Sequence, residues 1–405
     1  MKYGHHDDMS NNDQVIVLSP RAPIPALAYL LTGCVAVIGS NSLVLGPIAP
    51  AVAASFGTSV PSVMMASAGF GLGTSASALF LARYIDRVGA RRMLQAALLL
   101  LAVALAASAA APTVAVLIGA QLLAGLAAGI ALPAIYSSSA AIAPPGRESG
   151  TIGVVLTGWT LSMVAGVSLS AVLADLVHWR AVFAAVTGFS ALALAGLSAS
   201  SLPDIRKDGP APAPLEALGI PGIVPLLLAC GAFMTAFYGL YGYLGDHLHN
   251  GLGEPVSANG LAALSYGIGF GMAAFLDGAI DRLGARRIMP FAYLLVAAVY
   301  VAIAASSGSF ELTLAMMAAW GFANHFGLNV LVTCLSALDP SRRGAIMGLN
   351  SAVTYLAVFA GSTGFGVLYS NHGFPLSAMV AAALMVFAAT ASAWRPRQIR
   401  QAVRD

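Results

Sequence analysis

The sequence predicts an all-α integral membrane protein in which twelve transmembrane helices form two parallel six-helix repeats. Three observations predict it. Of 405 residues, 59% are hydrophobic and only 9% charged, against about a quarter charged in ordinary soluble proteins. The apolar residues come in runs that match the roughly 20 residues needed to cross a bilayer. The chain also repeats itself: YIDRVGARRM at 84–93 is matched by AIDRLGARRI at 279–288, an offset of 195. That offset pairs Arg147 with Arg342, Gly153 with Gly348, and Ala165-Gly166 with Ala360-Gly361, which marks a duplicated unit.

Residues 1–25 are polar, and no basic region leads into a short apolar segment, so they are expected to be a cytoplasmic tail and not a signal peptide. Apolar runs broken by charge, Pro and Gly then place helices at 26–48, 60–83, 93–110, 114–136, 150–174 and 181–202, a first bundle spanning 26–202. A polar, Pro-Ala-rich break over 203–219 reads as a cytoplasmic linker. The second bundle, 220–394, holds helices at 221–245, 258–278, 288–306, 310–335, 345–368 and 375–394, with a tail at 395–405. An even count puts both termini on one side. If that side is cytoplasmic, 18 of the 19 Lys and Arg residues lie inside and only Arg180 outside, as the positive-inside rule requires. The net charge of +3 gives no sign of a nucleic-acid partner, and Cys34, Cys230 and Cys334 lie inside apolar runs as small hydrophobes.

Asp86-Arg87-Val88-Gly89-Ala90-Arg91-Arg92 follows the second helix, and Asp281-Arg282-Leu283-Gly284-Ala285-Arg286-Arg287 follows the eighth. This doubled motif resembles the loop signature of the major facilitator superfamily, and the resemblance covers nearly the whole chain. The family's leading Gly is replaced by Ala82 and by Asp277, while the core Asp-Arg-x-Gly-x-Arg-Arg is intact in both copies. Gly89 and Gly284 permit a tight turn, and the arginines favour the anionic cytoplasmic surface. The resemblance implies that Asp86 sits near a helix N-terminus of the opposite half, a contact of about 0.3–2 kcal/mol. It makes the two loops conformational latches, built from Asp86, Arg87, Gly89, Arg91 and Arg92 and from Asp281, Arg282, Gly284, Arg286 and Arg287. It also places the chain, as a monomer, in a bacterial inner membrane.

A second stretch, Asp175-Leu-Val-His178-Trp179-Arg180-Ala-Val-Phe183, resembles a turn common in bacterial twelve-helix drug and sugar exporters. The exporters' Gly-rich signature survives in the fifth helix as Gly158, Gly166 and Ser170, with Ser168 near the usual Pro; such small residues also simply let helices approach closely. In the fourth helix, Gln121 precedes Gly125 and Gly129 where the exporter pattern carries an Arg.

In this fold the first, fourth, seventh and tenth helices surround a central cavity, with substrate near the midplane. The polar and aromatic residues expected to bind substrate there are Asn41, Gln121, Tyr238, Tyr241, Trp320, Asn324, His325, Asn329, Asn350 and Tyr355. His325 is the mid-span ionisable group besides tyrosine and cysteine, and its imidazole suits proton exchange as well as neutral packing between helices. With no Lys, Arg, Asp or Glu in the mid-membrane stretches, a neutral, zwitterionic or amphipathic small molecule fits better than a strongly anionic or multiply cationic one. Asp246, His247 and His249 at the end of the seventh helix read as a solvated helix end and not as a metal site. The expected function is therefore secondary transport of a small molecule, with protons as coupling ion and no cofactor. Export leads, and an uptake permease or facilitator of the same fold is the alternative. An enzyme would need paired carboxylates or a nucleophile with its base, and a sensor would need a soluble output domain.

Overall fold

The computed structural model describes residues 23–145, 147–204, 213–276 and 282–393. Residues 1–22 of the N-terminal tail, 205–212 of the linker and the whole C-terminal tail, together with Asp277, Asp281 and the side chain of Asp86, fall outside the described residues.

The apolar runs fold as helices: α1 (Ala26–Phe56), α2 (Val60–Phe80), α3 (Ala90–Ala109), α4 (Val114–Ile142), α5 (Gly150–Leu176) and α6 (Trp179–Ala199). The second half supplies α7 (Ile223–Gly251), α8 (Ala258–Ala273), α9 (Ala285–Ser306), α10 (Phe310–Ser336), α11 (343–372) and α12 (374–393). Gly373, at φ 76°, is the one non-helical residue between the last two.

Several helices run further than hydropathy marks them. The first continues from 48 to Phe56, with Pro47 and Pro50 inside it, and stops only at Gly57, whose left-handed φ of 61° lets its N–H turn back to Ala53 and Ala54. Starts are set by side chains that accept an otherwise orphaned backbone N–H: Ser59 caps α2, Thr113 caps α4, His178 caps α6 and Ser309 caps α10. Gly89 and Gly284 begin α3 and α9 at φ 105° and 85°, so both copies of the loop motif use their glycine for a backbone that a Cβ would oppose.

Lipid tails are as apolar as leucine, so helices in a bilayer are held by close packing of small residues. Here glycines bring backbones together in matching ways in the two halves. Gly73 and Gly125 join α2 to α4 by abutting the backbones of Leu122 and Phe70; Gly269 and Gly321 join α8 to α10 by abutting those of Ala318 and Tyr266. All four pairs of equivalent residues are offset by 196, one residue from the offset of the loops. The duplication seen in sequence is thus a duplicated packing device.

Nine helical segments among the described residues are long and apolar enough to cross a membrane, one of them holding both α11 and α12. The segment Phe310–Ser336 is not among them, because Trp320, Asn324, His325 and Asn329 interrupt its apolar character.

Candidate functional site

At one end of the molecule lie the turns after α2, α4, α8 and α10, each carrying at least one arginine, here called the basic end; the opposite end is the far end. In the first loop copy, Arg91 donates to the carbonyls of Leu202 and Ser198 at 3.4 and 3.2 Å, and Arg92 pairs with Asp204 at 3.3 Å. The Asp204 carboxylate occupies the space that a Cβ on Gly89 would need. These two arginines, expected at the lipid surface, therefore bind the loop to the end of α6 in their own half. Arg282, Arg286 and Arg287 of the second copy are exposed.

The small residues of α5 serve helix approach. A Cβ on Gly158 would sit 2.5 Å from the carbonyl of Thr32, and one on Gly166 would collide with Ser40 of α1. Between these contacts α5 widens into a π-helical turn, Ser162–Val167, and Ser168 returns a hydrogen bond to the Met163 carbonyl at 3.0 Å. The exporter-like turn has a structural task as well. Arg180 donates to the Ala111 carbonyl at 2.8 Å and lies 4.3 Å from the Trp179 ring centroid, tying α6 to the turn between α3 and α4.

Polar residues of the first half pair with one another. Asn41 of α1 and Gln121 of α4 exchange amide hydrogen bonds of 3.0 and 3.3 Å, and Gln121 also donates to Ser108 of α3 at 3.1 Å. All three are buried. Gln121, standing where the exporter pattern has an arginine, is a neutral clasp between three helices. Nearby, Trp159 of α5 donates to the Tyr136 hydroxyl of α4 at 3.1 Å.

The second half presents an aromatic cluster. Phe237 of α7 is its hub, with ring centroids 4.9 Å from Tyr238, 5.6 Å from Tyr241 and Tyr266, and 5.5 Å from Trp320. Tyr300 of α9 closes on Trp320 at 5.3 Å, and Asn324 donates to the Tyr266 hydroxyl at 3.0 Å. Of the sequence-predicted residues, Tyr238, Tyr241, Trp320 and Asn324 thus come together. His325 turns to a different neighbour, the edge of Phe270 on α8, 4.9 Å away. Asn329 lies one turn on, accepting from Thr333 at 3.2 Å. Asn350 accepts from Cys230 at 3.3 Å within the second half, while Tyr355 meets Phe70 of α2 at 6.1 Å across the halves. Phe237, Tyr266, Tyr300, Tyr136 and Trp159 escaped the sequence reading, since isolated aromatics in apolar runs look like lipid-facing or core residues.

The halves meet tightly toward the far end. Asn259 of α8 donates to the carbonyls of Pro47 and Gly245 at 2.7 and 3.3 Å, stitching α8 to α1 and α7. A Cβ on Gly245 would lie 2.5 Å from the Gly46 carbonyl, and one on Gly260 2.6 Å from that of Ser168. The Asp175 carboxylate at the end of α5 accepts the backbone N–H of Ser257, just before α8, at 3.3 Å. Further along, Ser75 donates to the Ala352 carbonyl at 2.9 Å, continuing the seam between α2 and α11. Asp246 departs from expectation: it is not a solvated helix end but is 8% exposed, with Asn250 donating to it at 2.6 Å.

A seam between two duplicated six-helix halves, one holding a polar network and the other an aromatic cluster, is the architecture of an alternating-access carrier. The family model of the Major Facilitator Superfamily matches residues 30–263 and 226–405. The chain is 26% identical to the uncharacterized MFS-type transporter YwfA of Bacillus subtilis, covering 93% of each. It is 28% identical to a chloramphenicol resistance protein of Streptomyces lividans over 40% of this chain and 42% of that one. Among solved structures, a D-xylose–proton symporter superposes with a TM-score of 0.76 at 15% identity, over 91% of this chain and 97% of that one. With its fold, its doubled loop and a family match over nearly its whole length, this chain belongs to the Major Facilitator Superfamily of membrane transporters.

Proposed function

We propose that the chain is a proton-coupled exporter of a neutral or amphipathic small organic molecule, with its basic end and both termini cytoplasmic in a bacterial inner membrane. The observation that carries this reading is the mid-membrane cluster of Phe237, Tyr238, Tyr241, Tyr266, Trp320 and Asn324, apolar faces with a few polar tips and no formal charge. These groups pack against one another, all but half-buried Tyr238 being buried, and faces of this kind suit flat or amphipathic molecules with scattered hydrogen-bonding groups once the helices part. Likeness to a chloramphenicol resistance protein supports efflux. His325, Asn329, Asn350 and Tyr355 complete the proposed lining, and the Asn41–Gln121 pair lines it only where its mutual hydrogen bonds open to substrate. His325 is the proposed proton carrier, and the loops containing Asp86 and Asp281 are the proposed latches.

One proton nearly suffices for a hundredfold gradient. A hundredfold ratio of a neutral solute costs about 2.7 kcal/mol, and one charge crossing 100 mV releases about 2.3 kcal/mol before any pH term. An uptake permease is the second reading. It is favoured by the neutral Gln121–Asn41 clasp standing where exporters carry an arginine.

The test is growth and drug accumulation in an efflux-deficient bacterium, using chloramphenicol and a panel of neutral drugs and sugars, with equally expressed wild type and Asp86→Asn. Export gives protection and lowered accumulation in wild type and loss of both in the variant. Raised sensitivity or accumulation with wild type establishes uptake instead, and normal protection by the variant removes Asp86 from the latch. In the same assay, His325→Gln is expected to abolish pH-driven transport while leaving exchange at equal concentrations intact; unchanged pH dependence dismisses His325 as carrier.

A further inference from the structure

The far end holds an open cavity, a cleft of about 850 Å³, whose walls come from both halves: the α1–α2 turn on one side, and the ends of α7, α11 and α12 on the other. Its size is that of a small-molecule site. Asp246 stands in the wall and is the one buried charged side chain among the described residues. A carboxylate withdrawn from water needs partners, and those present are neutral: the Asn250 amide at 2.6 Å and the Tyr369 hydroxyl. Among the described residues, no Lys or Arg lines the cavity.

The other titratable groups near Asp246 are Tyr243, Tyr369, His247 and His249. The imidazoles are already engaged with backbone carbonyls, His247 with Ser307 and His249 with Glu254, each at 2.7 Å. The first-half wall, Pro50 to Pro61, brings no titratable side chain to the cavity. His247 also stacks on Phe374 with ring centroids 4.3 Å apart and planes at 3°, which gives the cavity a flat aromatic wall. Behind Asp246, α7 ends in a π-helical turn, His247–Gly251. The site therefore has one anionic group, an aromatic wall and room for an organic molecule, and lacks a fixed cation.

We propose that this cavity binds organic monocations, with the Asp246 carboxylate as charge partner and the His247–Phe374 stack as apolar wall. The aromatic cluster deeper in the protein offers no formal charge, whereas the far-end cavity offers a cationic amphiphile the Asp246 carboxylate. This goes beyond the transport reading, because binding is measured without transport.

The experiment uses the full chain in lipid nanodiscs at pH 8, about 1.5 units above the ordinary imidazole pKa, with radiolabelled tetraphenylphosphonium as probe. Asp246→Asn is expected to weaken binding about tenfold or more, as loss of a charge partner should. Asp246→Glu keeps the charge and is expected to bind within about threefold of wild type. Equal binding by wild type and Asp246→Asn overturns the proposal, and so does equal loss in both variants. Should Asp246→Asn fail to fold, the wild-type background with Thr58→Cys on the opposite wall decides, the three native cysteines being buried. Tetraphenylphosphonium is expected to slow maleimide labelling of that cysteine, and an unchanged rate contradicts the proposal.

Discussion

Asn41 and Gln121 are 80 residues apart in sequence and satisfy each other's amides inside the bundle. Each was legible as a polar group on a helix expected to face the cavity. Their pairing was not, because nothing local to either residue names its partner. The pairing also changes what each residue is for, since an amide clasped on both sides is committed to holding helices. Asn41→Ala is expected to leave the Gln121 amide short of a partner at a cost of about 1–3 kcal/mol. Asn41→Ala combined with Gln121→Leu is expected to lose less than the sum of the two single variants, as read from thermal unfolding of purified protein in a double-mutant cycle. Additive losses would mean that the pair is not coupled. Gly89 teaches the same lesson from the backbone: the motif signalled a turn, but the Asp204 carboxylate filling the Cβ position comes from a segment more than a hundred residues away.

Among the elements, helix existence was clear in the sequence and helix ends were not. Hydropathy stops α1 at 48 because prolines and small residues follow, yet the helix runs to Phe56, where a left-handed glycine finally turns the chain. The end of α7 looked solvated from its own residues. Asp246 within it is buried beside Tyr369 of α11, a neighbour that the local sequence does not name. Conversely, the polar stripe of α10 was visible from spacing alone, and it is the feature that sets this helix apart from the plainly apolar ones. Asn259 is the element-scale pivot, since a single amide joins α8 to the backbones of α1 and α7. Asn259→Ala is expected to loosen the far-end seam, so that a cysteine placed at buried Ala263 reacts several-fold faster with maleimide, in line with the loss of about 1 kcal/mol per hydrogen bond. Unchanged reactivity would show that the glycine contacts alone hold the seam.

At the scale of the whole molecule, duplication explains why so much of the fold was readable. The same loop and the same glycine-to-backbone contacts occur in each half, so a repeat in the sequence is a repeat in the architecture. What distinguishes the halves was harder to see. The first half pins its loop arginines to α6 and clasps its polar residues in a neutral network. The second half carries the aromatic cluster and leaves its loop arginines exposed. Rocking of such halves requires the far-end seam to part once in every cycle, and the contact between Asp175 and the start of α8 lies across that seam. The most direct test joins cysteines placed at Asp175 and Ser257 with a short, reducible bis-thiol crosslinker and follows transport of the substrate that the growth screen identifies. The crosslinked protein is expected to lose transport and to regain it on reduction. Full transport with the crosslink in place would contradict alternating access through this seam.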